Sequence, residues 1–489
     1  MFDSSRLGNF LQMNIDRFHK SNPRILTIIF LLALVLRVVY LIFITPPFGN
    51  FAGDEIEYHI LAKNIATGIG YTYEPGIPTA FRPPLLPHII SPLYVVLSPN
   101  PISGRLFCIL IGSLSVIVLF RVTYLLTRNY PSAYLTSIIA SVYPTLIKYN
   151  TAIMSETLFI FIILLALIPL LNIYSENVVK KNKTILVSGI LFGLATLTRP
   201  VLLPFIIIFT PLYLIIRKND ALKLILYFWL GIIIPILPWI IRNYIVFNSF
   251  VPVSTQGGYA FWQHHNSLPP DGSVHTNPMI QKHAREEIEK INKQIESGVP
   301  IEEAALPLLS QRGLGYIYLL GDRELYNKYK DLSEPELDKN LKKLAFSAIK
   351  DRPYNFIKKV LKNGIKFFDL FTDPDFKTGK RDYNFGFGIL LGLFAVSLWL
   401  NKKNLKRWII PALLVINFWI MTSFFFFEMR YRLPAEPLLL AFVCSSMLYS
   451  ECTRQRKLVI ITVILVGNII LAFAAPSLME EIRSSIHRI

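Results

Sequence analysis

Long uninterrupted apolar blocks dominate this chain and leave it few ways to fold. A helix needs about 17–25 apolar residues to cross the hydrocarbon core of a bilayer. Candidate blocks lie at about 25–44, 104–127, 131–147, 153–173, 184–198, 200–216, 222–241, 384–400, 408–426, 435–450 and 458–475, the one at 184–198 being short. Hydrophobic residues make up 53% of the 489, and the mean hydropathy is +0.46, a value soluble proteins rarely reach. The first block exceeds the length of a signal-peptide core and no small-residue cleavage site follows it, so a retained first helix is expected.

The formal charge of +18 would suggest nucleic acid in a soluble protein. Here Lys and Arg cluster in short segments between apolar blocks, which points to topology rather than to a nucleic-acid partner. One set comprises Arg6, Arg17, Lys20 and Arg24; then Arg128; Lys180, Lys181 and Lys183; Arg217, Lys218 and Lys223; Lys402, Lys403, Lys406 and Arg407; and Arg454, Arg456 and Lys457. With the spans above, all six segments fall on one side, the cytoplasmic side by the positive-inside rule. The N-terminus is then cytoplasmic in a multi-pass protein of the plasma or inner membrane. Two long segments, about 45–103 and 242–383, face the other way.

The expected architecture is thus all-α and membrane-integral, with about eleven spans. It divides into an N-terminal membrane module at 1–241, a mostly helical extracytoplasmic loop domain at 242–383, and a C-terminal membrane module at 384–489. The first module carries the loop at about 45–103, where interfacial helices are expected. From Glu336 to Phe371 apolar residues recur at helical spacing, and Lys358, Lys359, Lys362 and Lys366 alternate with Ile357, Val360, Leu361 and Ile365. That pattern suits a helix lying in the membrane interface, and equally one packed on its own domain. The three cysteines, Cys108, Cys444 and Cys452, have neither disulfide-framework nor metal-site spacing.

Candidate chemistry gathers at the segments facing away from the cytoplasm. Asp54 and Glu55 follow the first span; a partly desolvated carboxylate there can take a proton from a hydroxyl, and Asp54 also suits a helix cap. Arg82 stands in Phe81-Arg82-Pro83-Pro84, and guanidinium is suited to bidentate phosphate recognition. Glu156 opens an apolar helix, where facing lipid would be costly. Arg199, Arg242, Arg430 and Arg432 run against the positive-inside trend, as an anionic ligand at that surface would require. Arg37 lies within the first span and needs an internal partner. His264 and His265, with Asp54, Glu55 or Glu156, would be the candidate ligands of a divalent metal, although adjacent histidines face different ways. The stretch Gln256-Gly257-Gly258-Tyr259 lacks nucleotide-loop spacing.

Taken in order, these pieces resemble the GT-C glycosyltransferases of the bacterial protein O-mannosyltransferase-like class, whose relatives include the lipid A aminoarabinose transferase. The resemblance rests on Asp-Glu-x-x-Tyr at 54–58, Arg-Pro-Pro-Leu at 82–85, Ser-Glu-Thr-Leu at 155–158 and Thr-Arg-Pro at 198–200. It continues with Pro-Trp-x-x-Arg-Asn-Tyr at 238–244, Phe-Val-Pro-Val-Ser-Thr-x-Gly-Gly at 250–258 and Arg-Tyr-Arg-Leu-Pro at 430–434. It implies a polyprenyl-phosphate sugar donor, a hydroxyl acceptor on a glycolipid, polysaccharide or protein, and inverting transfer on the extracytoplasmic face. It matches Asp54 to the catalytic base and Arg82 to the lipid-phosphate contact. Glu55 and Glu156 are further catalytic candidates, Arg242, Arg430 and Arg432 further phosphate ligands, and Tyr58, Arg199, Tyr259 and His264 substrate contacts. Some relatives bind a divalent metal, but no matching ligand set is evident. A transporter or lipid-linked sugar flippase is the alternative; it would place its site near the midplane, with repeated halves and broken helices, and no internal repeat is visible.

Overall fold

The computed structural model describes residues 21–45, 54–173, 181–216, 221–267, 278–304, 323–371, 382–400, 402–425, 427–449, 455 and 458–469. Among these residues the regular structure is helical apart from one two-stranded hairpin and an isolated bridge between Phe371 and Tyr383. In chain order the elements are α1 (Pro23–Phe43), α2 (Asp54–Ala66), β1 (Thr72–Glu74), β2 (Ile77–Pro78), α3 (Leu85–Leu97), α4 (Pro101–Thr127), α5 (Tyr130–Val142), α6 (Pro144–Asn150), α7 (Ser155–Asn172) and α8 (Lys181–Thr198). A 3₁₀ turn at Pro200–Leu202 and a π turn at Phe205–Phe209 lead into α9 (Thr210–Ile216), followed by α10 (Ala221–Phe247). The segment expected as a loop domain holds α11 (Gln256–His264), α12 (Pro278–Glu296), α13 (Ile301–Ala304), α14 (Arg323–Tyr329), α15 (Glu334–Asp351) and α16 (Pro353–Lys366). The chain returns through α17 (Phe385–Leu400), α18 (Ile409–Phe424), the single turn α19 (Met429–Arg432), α20 (Glu436–Tyr449) and α21 (Leu458–Ile469).

Each expected block meets a helix, and five helices among the described residues are long and apolar enough to cross a membrane: α1, α4, α7, α10 and the stretch Leu405–Phe424 ending α18. This is a multi-pass membrane protein. Asparagine followed by proline punctuates it. Asn22 and Asn100 accept from the backbone N–H two residues on, and Asn129 from Ser132 N, while Pro23, Pro101 and Pro131 occupy first-turn positions where no N–H is needed. The block expected as one span at 131–147 is two helices, because Pro144 forces Tyr143 into an extended conformation (ψ 115°). Prolines at 200 and 204 likewise break the block at 200–216 into short turns.

Small residues set the closest packing. A Cβ on Gly189 would meet Phe228 O at 2.2 Å, and one on Gly231 would meet Leu186 O at 2.3 Å, so α8 and α10 pack backbone to backbone. Gly231→Leu is therefore expected to cost at least about 1–3 kcal/mol through overpacking, read as a lowered midpoint in thermal unfolding followed by size-exclusion fluorescence.

In the loop at 45–103, where helices are expected, the described residues form α2 and α3 with the hairpin between them. The proline-rich run forms α3, with Pro87 in the first turn, where the missing N–H costs little, and Pro92 within the helix. The hairpin turns at Pro75-Gly76, Gly76 supplying φ 83°. In the second loop α15 packs on α11, where a Cβ on Gly258 would meet Asp338 O at 2.1 Å. That close approach accounts for Gly258; a Cβ on Gly257 would meet only the end of Lys342, at 3.8 Å.

Candidate active site

The first turn of α2 carries three acids, a placement that the helix dipole favours. Two of them share Arg82, and the third turns to Arg105. Asp54 receives Arg82 Nη2 on Oδ1 at 2.5 Å and Arg430 Nη1 on Oδ2 at 2.6 Å. Glu57, one turn on and on the same face, receives Arg82 Nε at 2.6 Å and Nη2 at 2.8 Å, and the Tyr73 hydroxyl at 2.8 Å. Glu55 accepts from Arg105 Nε at 2.8 Å and Nη2 at 3.0 Å and from Ile153 N at 2.9 Å. The side chain of Asp54 is 17% exposed, against 2% for Glu57 and 1% for Glu55. Among these three, Asp54 is the carboxylate a reactant can reach.

A second ion pair lies alongside. Arg199 Nη1 sits 2.6 Å from Glu156 Oε1 and donates to Ser155 Oγ at 3.0 Å, with its guanidinium 5.2 Å from the Tyr431 ring centre. Arg430 joins the two pairs. Its Nε lies 4.0 Å from Glu156 Oε1 and 2.5 Å from Glu428 Oε2. Burial pushes the Asp54 pKa up, but Arg430, Arg82 and Arg199 outweigh it and hold the carboxyl well below the usual range. Asp54 is therefore ionised throughout the neutral range.

The backbone around Arg82 is held from several directions. Tyr71 OH donates to Arg82 O at 2.8 Å, and Thr255 N donates to Ala80 O at 3.0 Å. Glu334, carried into place by the capping box of Ser333 and Glu336 at the start of α15, accepts from Thr79 Oγ1 at 2.7 Å, from Ala80 N at 2.8 Å and from the Thr255 hydroxyl. This buried carboxylate ties the first loop to the second. Burial raises its pKa despite those donors and nearby Arg242. A carboxyl whose folded value exceeds its unfolded value of about 4.3 loses its stabilising contribution as pH rises from the unfolded to the folded value. Glu334→Gln is accordingly expected to gain in stability relative to wild type between mild acid and neutral pH. Glu334→Ala, which leaves three donors without their acceptor, should lose about 1–3 kcal/mol at both. Unfolding curves at two pH values check both outcomes.

The other candidates fall in different places. Arg242 donates to Thr79 O at 2.7 Å and stacks 4.9 Å from the Trp239 ring centre, joining α10 to the hairpin region. Arg432, two residues from Arg430 on the α19 turn, faces away from Asp54. It is fully buried, bound to Glu436 at 3.0 Å and to the carbonyls of Phe367 and Asp369, with its guanidinium 3.3 Å from the Phe387 ring centre. Tyr58 lies 5.7 Å beneath the Arg82 guanidinium, and buried Tyr259 packs near Phe81. His264 Nε2 accepts from Asn363 Nδ2 at 2.8 Å, and His265 Nε2 donates to Phe424 O at 2.7 Å. Burial and nearby Lys359 push His265 down to about 4, so it is neutral. Arg37 donates to Asn150 Oδ1 at 2.8 Å and to Ala33 O at 2.9 Å inside the helix bundle.

Among the described residues no three His, Cys, Asp or Glu side chains gather as a metal site. The carboxylates of the corner are committed to guanidinium groups and the two histidines to amide and carbonyl partners, so the described residues do not fit a divalent ion. Glu57 and Arg105 were not distinguished by sequence. The signal for Glu57 was its place three residues after Asp54; Arg105 stood at the edge of an apolar block.

Residues 89–252, about a third of the chain, match the family model described as dolichyl-phosphate-mannose-protein mannosyltransferase. In three dimensions the chain is similar to the archaeal oligosaccharyltransferase AglB from Archaeoglobus fulgidus, in complex with an inhibitory peptide and a dolichol-phosphate. The identity is 14%, over 92% of this chain and 55% of that one, with a TM-score of 0.49. It is also similar to ArnT from Cupriavidus metallidurans bound to undecaprenyl phosphate, at 12% identity over 84% of this chain and 77% of that one, with a TM-score of 0.39. The chain spans about half the length of the archaeal oligosaccharyltransferase chains it matches. No curated protein sequence matches it. The helical membrane architecture and the family match support the likeness to GT-C membrane glycosyltransferases drawn from the motifs.

Proposed function

We propose that the protein is a membrane glycosyltransferase that moves a sugar from a polyprenyl-phosphate carrier to a hydroxyl acceptor, inverting the anomeric centre, on the extracytoplasmic face. The observation that carries this reading is the accessible Asp54 carboxylate clamped between Arg82 and Arg430. A proton acceptor and two phosphate-binding groups thus stand within one hydrogen bond of each other. The description of the matched family supports the donor class, and the distribution of Lys and Arg supports the side.

As it stands, Asp54 is a poor base, because both oxygens are engaged by guanidinium. The carrier phosphate resolves this. On entering the corner it takes hydrogen bonds from Arg430 and Arg82, and the Asp54 carboxylate is released toward the acceptor hydroxyl. The acceptor oxygen attacks the anomeric carbon as its proton passes to Asp54. The bond from that carbon to the phosphate oxygen breaks, and the electron pair leaves with polyprenyl phosphate. Arg430 and Arg82 stabilise the charge that develops there. Glu156 holds Arg199 beside the site, while Glu55 serves the fold through Arg105.

The test is binding of the leaving product. Replacing Arg430 by Gln removes charged hydrogen bonds of about 1.5–3 kcal/mol, so affinity for polyprenyl phosphate should fall about 10- to 100-fold in a fluorescence titration. Residual transfer by Arg430→Gln should show its acid limb at higher pH than wild type, since Asp54 then loses the strongest of the cations that hold its carboxyl down. Unchanged carrier affinity in both Arg430→Gln and Arg82→Gln would contradict the reading.

A further inference from the structure

α16 presents three distinct faces. Phe356, Asn363, Gly364 and Phe367 turn toward α18, where Trp419 Nε1 donates to Gly364 O at 3.0 Å and Asn363 Nδ2 to Ser423 O at 3.3 Å. A second face is apolar and uncovered. Tyr354 (74% exposed), Ile357, Leu361 (63%) and Ile365 (75%) recur every three or four residues, and Phe368 continues the row just past the helix end. The third face bears the exposed Lys358 and Lys362, each about 100° around the helix from the apolar residue before it. The helix contains four lysines and no acid.

A solvated helix would not spend a face on five large apolar groups, and α18 already covers the opposite side. The inner face of α16 meets Trp419 and Phe424, both exposed toward the end of α18, and the stretch Leu405–Phe424 is long and apolar enough to cross a membrane. Aromatic side chains at a span end mark the headgroup level. We propose that α16 lies in the membrane interface and docks the loop domain on anionic phospholipid: the row from Tyr354 to Phe368 enters the acyl boundary, and Lys358 and Lys362 engage headgroup phosphates. An apolar row flanked by cations is what such a surface complements. The inference is independent of the reaction proposed above, for it concerns the depth at which the domain sits.

The test uses the full chain in nanodiscs of mixed phosphatidylglycerol and phosphatidylcholine. With Cys108, Cys444 and Cys452 replaced by alanine, single spin labels are introduced at Ile357, Leu361 and Lys362. Labels at 357 and 361 are expected to be relaxed by oxygen and shielded from a water-soluble nickel chelate, with the order reversed at 362. In parallel, Lys358→Gln and Lys362→Gln are each expected to reduce retained phosphatidylglycerol relative to phosphatidylcholine about fivefold, measured by native mass spectrometry. Full access of the nickel chelate to 357 and 361 would overturn the interfacial placement. Unchanged phosphatidylglycerol retention in both lysine variants would overturn the anionic docking.

Discussion

Asp54→Asn is expected to lower sugar transfer about 10²–10⁴-fold, the range that a positioned general base supplies. The substitution keeps the shape of the side chain and one hydrogen-bond acceptor for Arg82 or Arg430, so folding should be little affected and carrier binding retained. The loss should therefore fall on kcat rather than on the donor KM, as for an interaction made only in the transition state. A structural role for Asp54 would give the reverse pattern: lost expression or a lowered unfolding midpoint, with residual transfer following the amount of folded protein. Steady-state transfer by purified wild type and variant, together with their unfolding curves, separates the two.

Glu55→Ala is expected to damage stability rather than chemistry. Glu55 is 1% exposed and binds Arg105 through two nitrogens, so removing it leaves a guanidinium buried without its charge partner. Breaking a buried pair in this way costs about 3–5 kcal/mol, and Ile153 N at the start of α7 loses its acceptor as well. Replacing both partners together, Glu55→Leu with Arg105→Met, should recover much of the loss, because neither charge then remains. Transfer per folded molecule should stay close to wild type in the double variant. A collapse of turnover in a well-folded double variant would instead assign Glu55 a part in the reaction. Unfolding midpoints and specific activity of the single and double variants decide.

The helical membrane plan was legible because apolar length and loop charge depend on composition along the chain, not on side-chain geometry. The co-location of Asp54, Arg82, Arg199, Glu156 and Arg430 was legible for the same reason, since topology alone brings their segments to one surface. Which cation meets which acid was not. Asp54, Glu55 and Glu57 are near neighbours in sequence, yet helical rotation sends Glu55 to Arg105 while Asp54 and Glu57 share Arg82. Arg430 and Arg432 look equivalent in the sequence, but a two-residue step on a helix turns one toward Asp54 and the other toward Glu436. Glu334 lies 255 residues from its partner Thr79, a distance no local pattern bridges. The proline effects at Tyr143 and at residues 200–204 were readable in principle, but apolar continuity masked them.

The central claim is that an accessible carboxylate beside two guanidinium groups transfers sugar from a lipid phosphate. The most direct measurement incubates the full-length protein in nanodiscs with a panel of polyprenyl-phosphate sugars and hydroxyl acceptors, following release of polyprenyl phosphate and the anomeric configuration of the product. The account predicts turnover of at least one donor with inversion, reduced to near background in Asp54→Asn. Release at the wild-type rate by Asp54→Asn, or a product of retained configuration, would contradict it.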